Sequence, residues 1–418
     1  MTRMKDSGNP WVREIPSDWF EKKLRYLVKL RGEKSVTTDY KKYVGLENIM
    51  SQTGQYVQTG IEVDLTENLT FEVGDILFGK LRPYLRKYWR AEFSGTASSE
   101  FVIIKGSSLN LNFLFWAIQS DSFINDVDSS TYGSKMPRAS WEYMKNIKLP
   151  FPESIEEQTQ IADFLDKKVA QLDKVKSLLE EQINTLEDYR QSLIYETVTK
   201  GLDKTVPLKD SGVDWIGQIP EGWGTGKIKY YAEISAGSTP DRTNELFWNG
   251  DIPWMASGEV NQGVVTHTAE KITKLGLRNT STKLLSKGTV MLALNGQGKT
   301  KGTAAILNIE TASNQSLASF DVNNEVVNGY YLYYYFVSSY SNIRGLKGED
   351  RDGLNLKLVS NIEIPLPNID EQLKIADFLD KKTEQINHMI AIKKEQIENI
   401  NKQRQTLIYD YVTGKRRV

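Results

Sequence analysis

The stretch GKLRPYLRKYWR, residues 79–90, carries Lys80, Arg82, Arg86, Lys87 and Arg90 with no acid among them, and Tyr84, Tyr88 and Trp89 are interleaved. Guanidinium groups fork onto phosphate or onto guanine O6/N7, and aromatic rings pack on sugar or base, so this pattern suits contact with a polyanion. A strand with a merely solvated charged face would read the same way. The second half of the chain offers different chemistry at ALNGQGKTK, with Asn295, Gln297, Lys299 and Lys301, and at Asn314-Gln315. Asn and Gln carry the donor–acceptor pair that matches the N6/N7 edge of adenine. Each half also has a Gly-basic loop further on. These are YGSKMPRAS (Tyr132–Ser140), with Lys135 and Arg138, and RGLKGEDRDGLN (Arg344–Asn355), with Arg351.

Other chemistries fail. The GQGKT segment resembles a phosphate-binding loop, but such a loop must open a helix, and here a strand-like KGTAAILNI follows. No GxSxG, no NPPY or DPPY, and no GxGxxG after a strand is present. His267 and His388 stand far apart with no metal-ligand spacing, and the chain has 0 cysteines, which excludes disulfides and thiolate metal sites. There is no apolar run long enough to span a membrane and no apolar signal core near the N-terminus, so a cytoplasmic location is expected. A net charge of −1 predicts no long-range attraction to nucleic acid, so any such contact must use local basic patches or a more basic partner.

The elements that must position these loops are written twice. IADFLDKK occurs at Ile161–Lys168 and again at Ile375–Lys382, and residues 156–200 align with 370–414 without a gap. A head block also recurs. DSGNPWVREIPSDW from Asp6 faces DSGVDWIGQIPEGW from Asp210, sharing Trp11/Trp215, the Ile-Pro pairs and Trp19/Trp223. Each half reads as head block, variable body, Pro-flanked strand and long helix. A Gly turn (Gly74, Gly288) precedes the strand DILFG or TVMLA, and the strand then runs into an unlike loop.

The helices follow from spacing. Ile161, Leu165, Lys168, Leu172, Val175, Leu179, Gln182, Leu186, Tyr189 and Leu193 fit a heptad seam, and the same steps run from Ile375 to Leu407. Ser154 and Asn368 are candidate N-caps with an acid three residues on, and Gly201 and Gly414 are candidate stops. Some 45 residues at 1.5 Å each make a rod of about 67 Å. Antiparallel pairing of the two rods is expected, because the first helix delivers the chain directly to the second body.

The IPxxW heads, GDILFGKLRPYLRKYW, the LPFP…EEQ and IPLP…DEQ entries and the IADFLDKK helices together resemble the specificity subunit of type I restriction–modification systems, over essentially the whole chain. The resemblance implies an α+β fold: two globular target-recognition domains separated by a long antiparallel two-helix coiled coil, as a pseudo-two-fold internal repeat. The boundaries would be a first recognition domain at 1–153, a first conserved helix at 154–200, a second domain at 201–367, and a second helix with the C-terminal tail at 368–418. Glu153 has no counterpart in the second copy.

The family role would be non-catalytic. Each domain would read one half of a bipartite, asymmetric site in double-stranded DNA. The helices would set the spacing, at most about two turns of B-DNA, and would dock two modification (methyltransferase) subunits, with motor–nuclease restriction subunits joining for cleavage. No cofactor is expected in this chain; S-adenosylmethionine, ATP and Mg would sit on the partners, and no membrane is involved. Phe164, Asp166, Lys167, Phe378, Asp380 and Lys381, in the repeated octamers, are the expected partner-binding residues. The competing reading is a protein-binding structural adaptor without DNA contact.

Overall fold

A computed structural model describes residues 3–9, 12–36, 42–59, 67–133, 135–346 and 353–418. The chain divides into two compact units, Met1–Glu181 with Lys393–Val418, and Gln182–Ile392. Two long helices, Ile155–Lys200 and Ile369–Val412, each contribute residues to both units. The compact units therefore cut across both helices, and the sequence-based boundaries at 154 and 368 are helix starts only.

In the first unit a four-stranded sheet runs in the order Val28–Leu30, Phe101–Ser107, Ile76–Gly79, Tyr88–Arg90. The unbroken apolar run ILF is explained by burial on both faces. Ile76, Phe78, Val102 and Ile104 face one cluster that includes Trp19, Phe113, Ile161 and Leu165, while Leu77, Phe101 and Ile103 face a second with Phe71 and Trp89. Alternation with period two splits the strand between two cores, and each such side chain contributes about 1.5–3 kcal/mol by leaving water. The second cluster is closed by another sheet, ordered Lys34–Val36, Glu67–Phe71, Gly95–Ala97, Tyr43–Val44.

The second unit repeats the plan. Its main sheet is ordered Ala232–Ala236, Leu317–Val322, Val290–Ala293, Ala304–Leu307, Val264–Val265. Val290 and Leu292 face one core and Met291 and Ala293 another. The expected helices over NFLFWAIQS and GYYLYYYFVSS are Leu111–Ala117 and Gly329–Ser338, each capped by an Asn side chain that accepts from backbone N–H groups.

The head blocks form short hairpins, Met4–Asn9 with Val12–Pro16 and Leu208–Asp210 with Gln218–Pro220. Each head then meets the end of a long helix. A Cβ on Gly414, at φ +74°, would fall 2.5 Å from Pro16 Cγ and 3.1 Å from Trp19. A Cβ on Gly201, at φ +71°, would fall 3.2 Å from Trp223. Both stops need the left-handed backbone that glycine adopts without a Cβ clash.

The helix stripe differs from the heptad expectation. The positions shielded along the first helix are 161, 165, 169, 172, 176, 179, 183, 186, 190, 194 and 197, and those along the second are the same positions plus 214. The mean spacing is (197 − 161)/10 = 3.6, the period of an ordinary α-helix, not the 3.5 of a supercoiled seam. The 3.5 template therefore slips by one residue. Val169, Ile183 and Ile194 are buried, whereas Val175 and Tyr189 are exposed.

Within the first unit the two helix segments run antiparallel, with the Phe164 ring 4.5 Å from Tyr411 and Asp173 Oδ1 3.5 Å from Arg404 Nε. Within the second unit Arg190 donates to Asn387 Oδ1, while Ile194 and Val198 share a core with Ile375 and Leu379. Arg190 and Asn387 are the repeat partners of Arg404 and Asp173 at the offset of 214.

Candidate nucleic-acid interface

In each unit the main-sheet strand ends in a loop that is tied to the later Gly-basic loop. In the first unit Gly79 closes the strand, Lys80 N–H donates to Glu100 O (2.8 Å) and Ala139 N–H donates to Lys80 O (2.9 Å). Arg82 N–H donates to Pro137 O (2.8 Å) and its guanidinium reaches Lys135 O (3.3 Å). The loop needs unusual backbone. Arg82 and Arg86 sit at φ +50° and +54°, flanking the short 3-10 helix Pro83–Leu85, with proline preset for its first position. Residues 79–90 and 132–140, separated in sequence, thus become one surface.

The second unit is stitched at matching points. Leu294 N–H donates to Ser316 O (2.8 Å) and Leu354 N–H donates to Leu294 O (2.8 Å). Lys80 and Leu294 are 214 apart, so the repeat extends to the base of each loop. Arg344 donates to Lys301 O (3.1 Å) and Tyr340 O–H to Lys299 O (2.9 Å). Gly353 lies so close that a Cβ there would fall 1.5 Å from Asn295 Oδ1. Residues 294–302 open the strand Ala304–Leu307 and no helix, which removes the phosphate-binding-loop reading of GQGKT.

The candidate contacts separate by environment. Arg82, Tyr84 and Lys135 are exposed at the loop surface, with exposed Tyr132 and Met136 beside them, and Lys80 is half-buried at its root. Arg138 is held by Glu100 through two hydrogen bonds, 2.6 and 3.1 Å, at a half-exposed site, so its guanidinium is already forked.

Two of the sequence candidates leave the contact surface. Lys87 turns inward and donates to Leu46 O (2.7 Å) and Ile49 O (2.8 Å), and burial pushes its ammonium below the ordinary lysine pKa. Arg86 pairs with Asp121 at 2.6 Å with only 16% of its side chain exposed, facing a cleft of about 520 Å³ shared with Gln52 and Arg404. A stretch of alternating cations reads as one charged face, but the left-handed turns rotate these two beneath the loop.

In the second unit Asn295, Gln297 and Lys299 are exposed, and Lys301 is half-buried. Asn314 spends its Oδ1 on Ser316 N–H (3.1 Å), and Gln315 accepts from Thr239 Oγ1 while its residue stays exposed. The Leu294–Ser316 bond brings Asn314-Gln315 beside the loop holding Asn295. Arg351 lies outside the described residues.

The octamer residues have a different job from the one expected. Asp166 Oδ1 accepts from Trp116 Nε1 (2.8 Å), and Asp380 Oδ1 accepts from Tyr334 O–H (2.6 Å). Each aromatic comes from its unit's short helix, so the repeated carboxylate locks a body onto the long helix. Burial, then the bond to Asp380, holds the Tyr334 phenol well above its usual range. Gln158 and Gln372 add a second lock, accepting from Asn110 N–H (2.7 Å) and Asn328 N–H (2.8 Å).

Phe164 packs on Tyr411 and Phe378 on the second unit's core, so these four aromatics and acids are engaged within the chain. Lys167 remains exposed; Lys381 is exposed and pairs with Asp377 one turn earlier. Sequence spacing hid this lock because Trp116 and Tyr334 differ in type and lie outside the aligned block.

Two segments of the chain, residues 16–187 and 220–401, match the family model described as the type I restriction modification DNA specificity domain. The chain belongs to that family. The MjaVIII specificity subunit of Methanocaldococcus jannaschii is 26% identical over 432 residues, spanning 97% of this chain and 94% of the relative. In fold, the chain resembles one from a study of complex assembly and conformational transition in the type I R-M system (TM-score 0.75, 19% identity, 96% of this chain and 99% of that one). It also resembles the HsdS subunit from Thermoanaerobacter tengcongensis (TM-score 0.52, 19% identity, 96% and 98%). DNA recognition is the role of the family, and two specificity domains are present here in tandem.

Proposed function

We propose that each unit reads one half of a bipartite, asymmetric DNA site through its strand-end loop pair. The first unit does so with Arg82, Tyr84 and Lys135, with Lys80 at the root. The second does so with Asn295, Gln297, Lys299 and Gln315. The observation that carries this reading is a duplicated loop base, Lys80 and Leu294 tied at matching points, bearing unlike chemistry at its tip. Unlike tips on like scaffolds read unlike half-sites.

The chain performs no chemistry itself. It works with two copies of a modification subunit, which supply methyl transfer, and restriction subunits join for cleavage; S-adenosylmethionine, ATP and Mg belong to those partners. The antiparallel long helices act as the spacer between readers. The test is methylome sequencing of cells carrying the chain with its methyltransferase, before and after residues 20–150 are replaced by the matching region of another family member. One half of the modified site should change and the other half and the spacing should persist. A change in both halves, or in neither, overturns the assignment.

A further inference from the structure

Each unit carries an exposed tyrosine at the same place in the repeat. Tyr26 is 65% exposed and Tyr230 is 71% exposed, and they are 204 apart, the offset of the head blocks. Both follow a buried aliphatic and a cation, in Leu24-Arg25-Tyr26 and Ile228-Lys229-Tyr230. The cation lies over the ring in both, with Arg25 4.8 Å and Lys229 5.2 Å from the centroid. The backbone is pinned alike, Arg25 N–H donating to Lys145 O (3.0 Å) and Lys229 N–H to Ser360 O (3.1 Å). Lys23 and Lys227 add a further cation at matching positions.

Topology sets these tyrosines apart from the reading loops. In the first unit the loop leaves the sheet at Gly79, opposite Phe101, whereas Tyr26 precedes Val28, which pairs with Ser107 at the other end of the same strand. In the second unit the loop leaves at Ala293, opposite Leu317, and Tyr230 precedes Ala232, which pairs with Val322. The reading tips diverge between the units while this far-end patch keeps its chemistry. A surface kept twice meets the same thing twice, and at the end away from the reader that thing is a protein.

We propose that the Arg25–Tyr26 and Lys229–Tyr230 patches are equivalent docking points for two copies of the modification subunit, each meeting an acidic surface with an apolar contact for the ring. The proposal rests on the two-partner reading above. Exposed tyrosine backed by a cation offers large, rigid contact area, and the uniform positive charge selects an acidic counterpart.

The test uses the full chain co-expressed with its modification subunit and analysed by native mass spectrometry, with DNA binding measured alongside. Tyr26→Ala with Arg25→Ala should leave one bound copy, as should Tyr230→Ala with Lys229→Ala, each site weakening about tenfold or more. The four substitutions combined should leave none. Unchanged melting curves certify the fold, and Tyr26→Glu and Tyr230→Glu give a second pair at the same exposed rings if the alanine variants melt early. Two copies retained at parental affinity overturns the proposal. So does weakened DNA binding with stoichiometry intact, which would make the patch a nucleic-acid contact. If the parent chain itself takes fewer than two copies, the two-partner reading fails, and that result is distinct from failure of the patch.

Discussion

The first and second reading loops leave matching strand ends, yet they are built by different means. The first is stiffened by left-handed residues around a proline turn and by the Arg138–Glu100 and Arg86–Asp121 pairs, and it presents cations and a phenol. The second is a glycine-rich span fastened through carbonyls by Tyr340 and Arg344, and it presents carboxamides. The difference shows that duplication kept the base and released the tip. Attachment is fixed by backbone hydrogen bonds that any sequence can make, whereas recognition depends on the side chains left over.

The locks to the long helices sharpen the comparison most. Trp116 fills the first unit's core and donates to Asp166, whereas Tyr334 donates to Asp380 through a hydroxyl. Trp116→Ala should destabilise its unit by about 3–5 kcal/mol, since it removes a large buried ring. Tyr334→Phe keeps the ring and should cost about 1–2 kcal/mol, the value of one buried hydrogen bond to a carboxylate. Urea titration of each variant reads both, and equal losses would break the distinction.

At the tips, Arg82→Ala with Tyr84→Ala should weaken DNA binding by the assembled complex about ten- to a hundredfold and lower the salt slope by roughly one cation. Asn295→Ala with Gln297→Ala should relax base preference in the other half-site and leave the salt slope unchanged, because no charge is lost. Matching salt responses in the two variants would count against a charge-based reader in the first unit and a carboxamide-based one in the second.

The smallest effect concerns a staple at the end of the second long helix. Arg417 bonds Asp18 and holds its carboxyl below the ordinary value of 3.8. A carboxyl depressed in the folded state contributes stability that is present above its unfolded value and is lost as pH falls through the folded one. Both partners are more than a third exposed, so the contribution is under about 1 kcal/mol. Asp18→Asn should flatten acid-melting curves of the first unit slightly below pH about 4, and an unchanged curve would assign the pair no role.

Much of the scaffold was legible because it is repeated. The duplicated octamer, the IPxxW heads, the Gly stops and the strand–loop junctions all keep their place in the structure. The seam register was less legible, since Lys168 and Val169 are neighbours that a 3.5 and a 3.6 spacing assign differently, and only packing decides. Asp166 and Asp380 looked like surface acids because their aromatic partners arrive from other elements. Lys87 and Arg86 looked like contacts because composition does not reveal φ, and the left-handed turns at Arg82 and Arg86 send two of the loop's cations inward.

The most direct test of the central claim is a protection footprint of the assembled complex on its modified DNA site, repeated on sites whose spacer is lengthened by one and two base pairs. Two protected patches should flank an unprotected gap on the native site, and both should not be held at once when the spacer grows. A single continuous patch, or equal protection at every spacing, would contradict two unlike readers held a set distance apart.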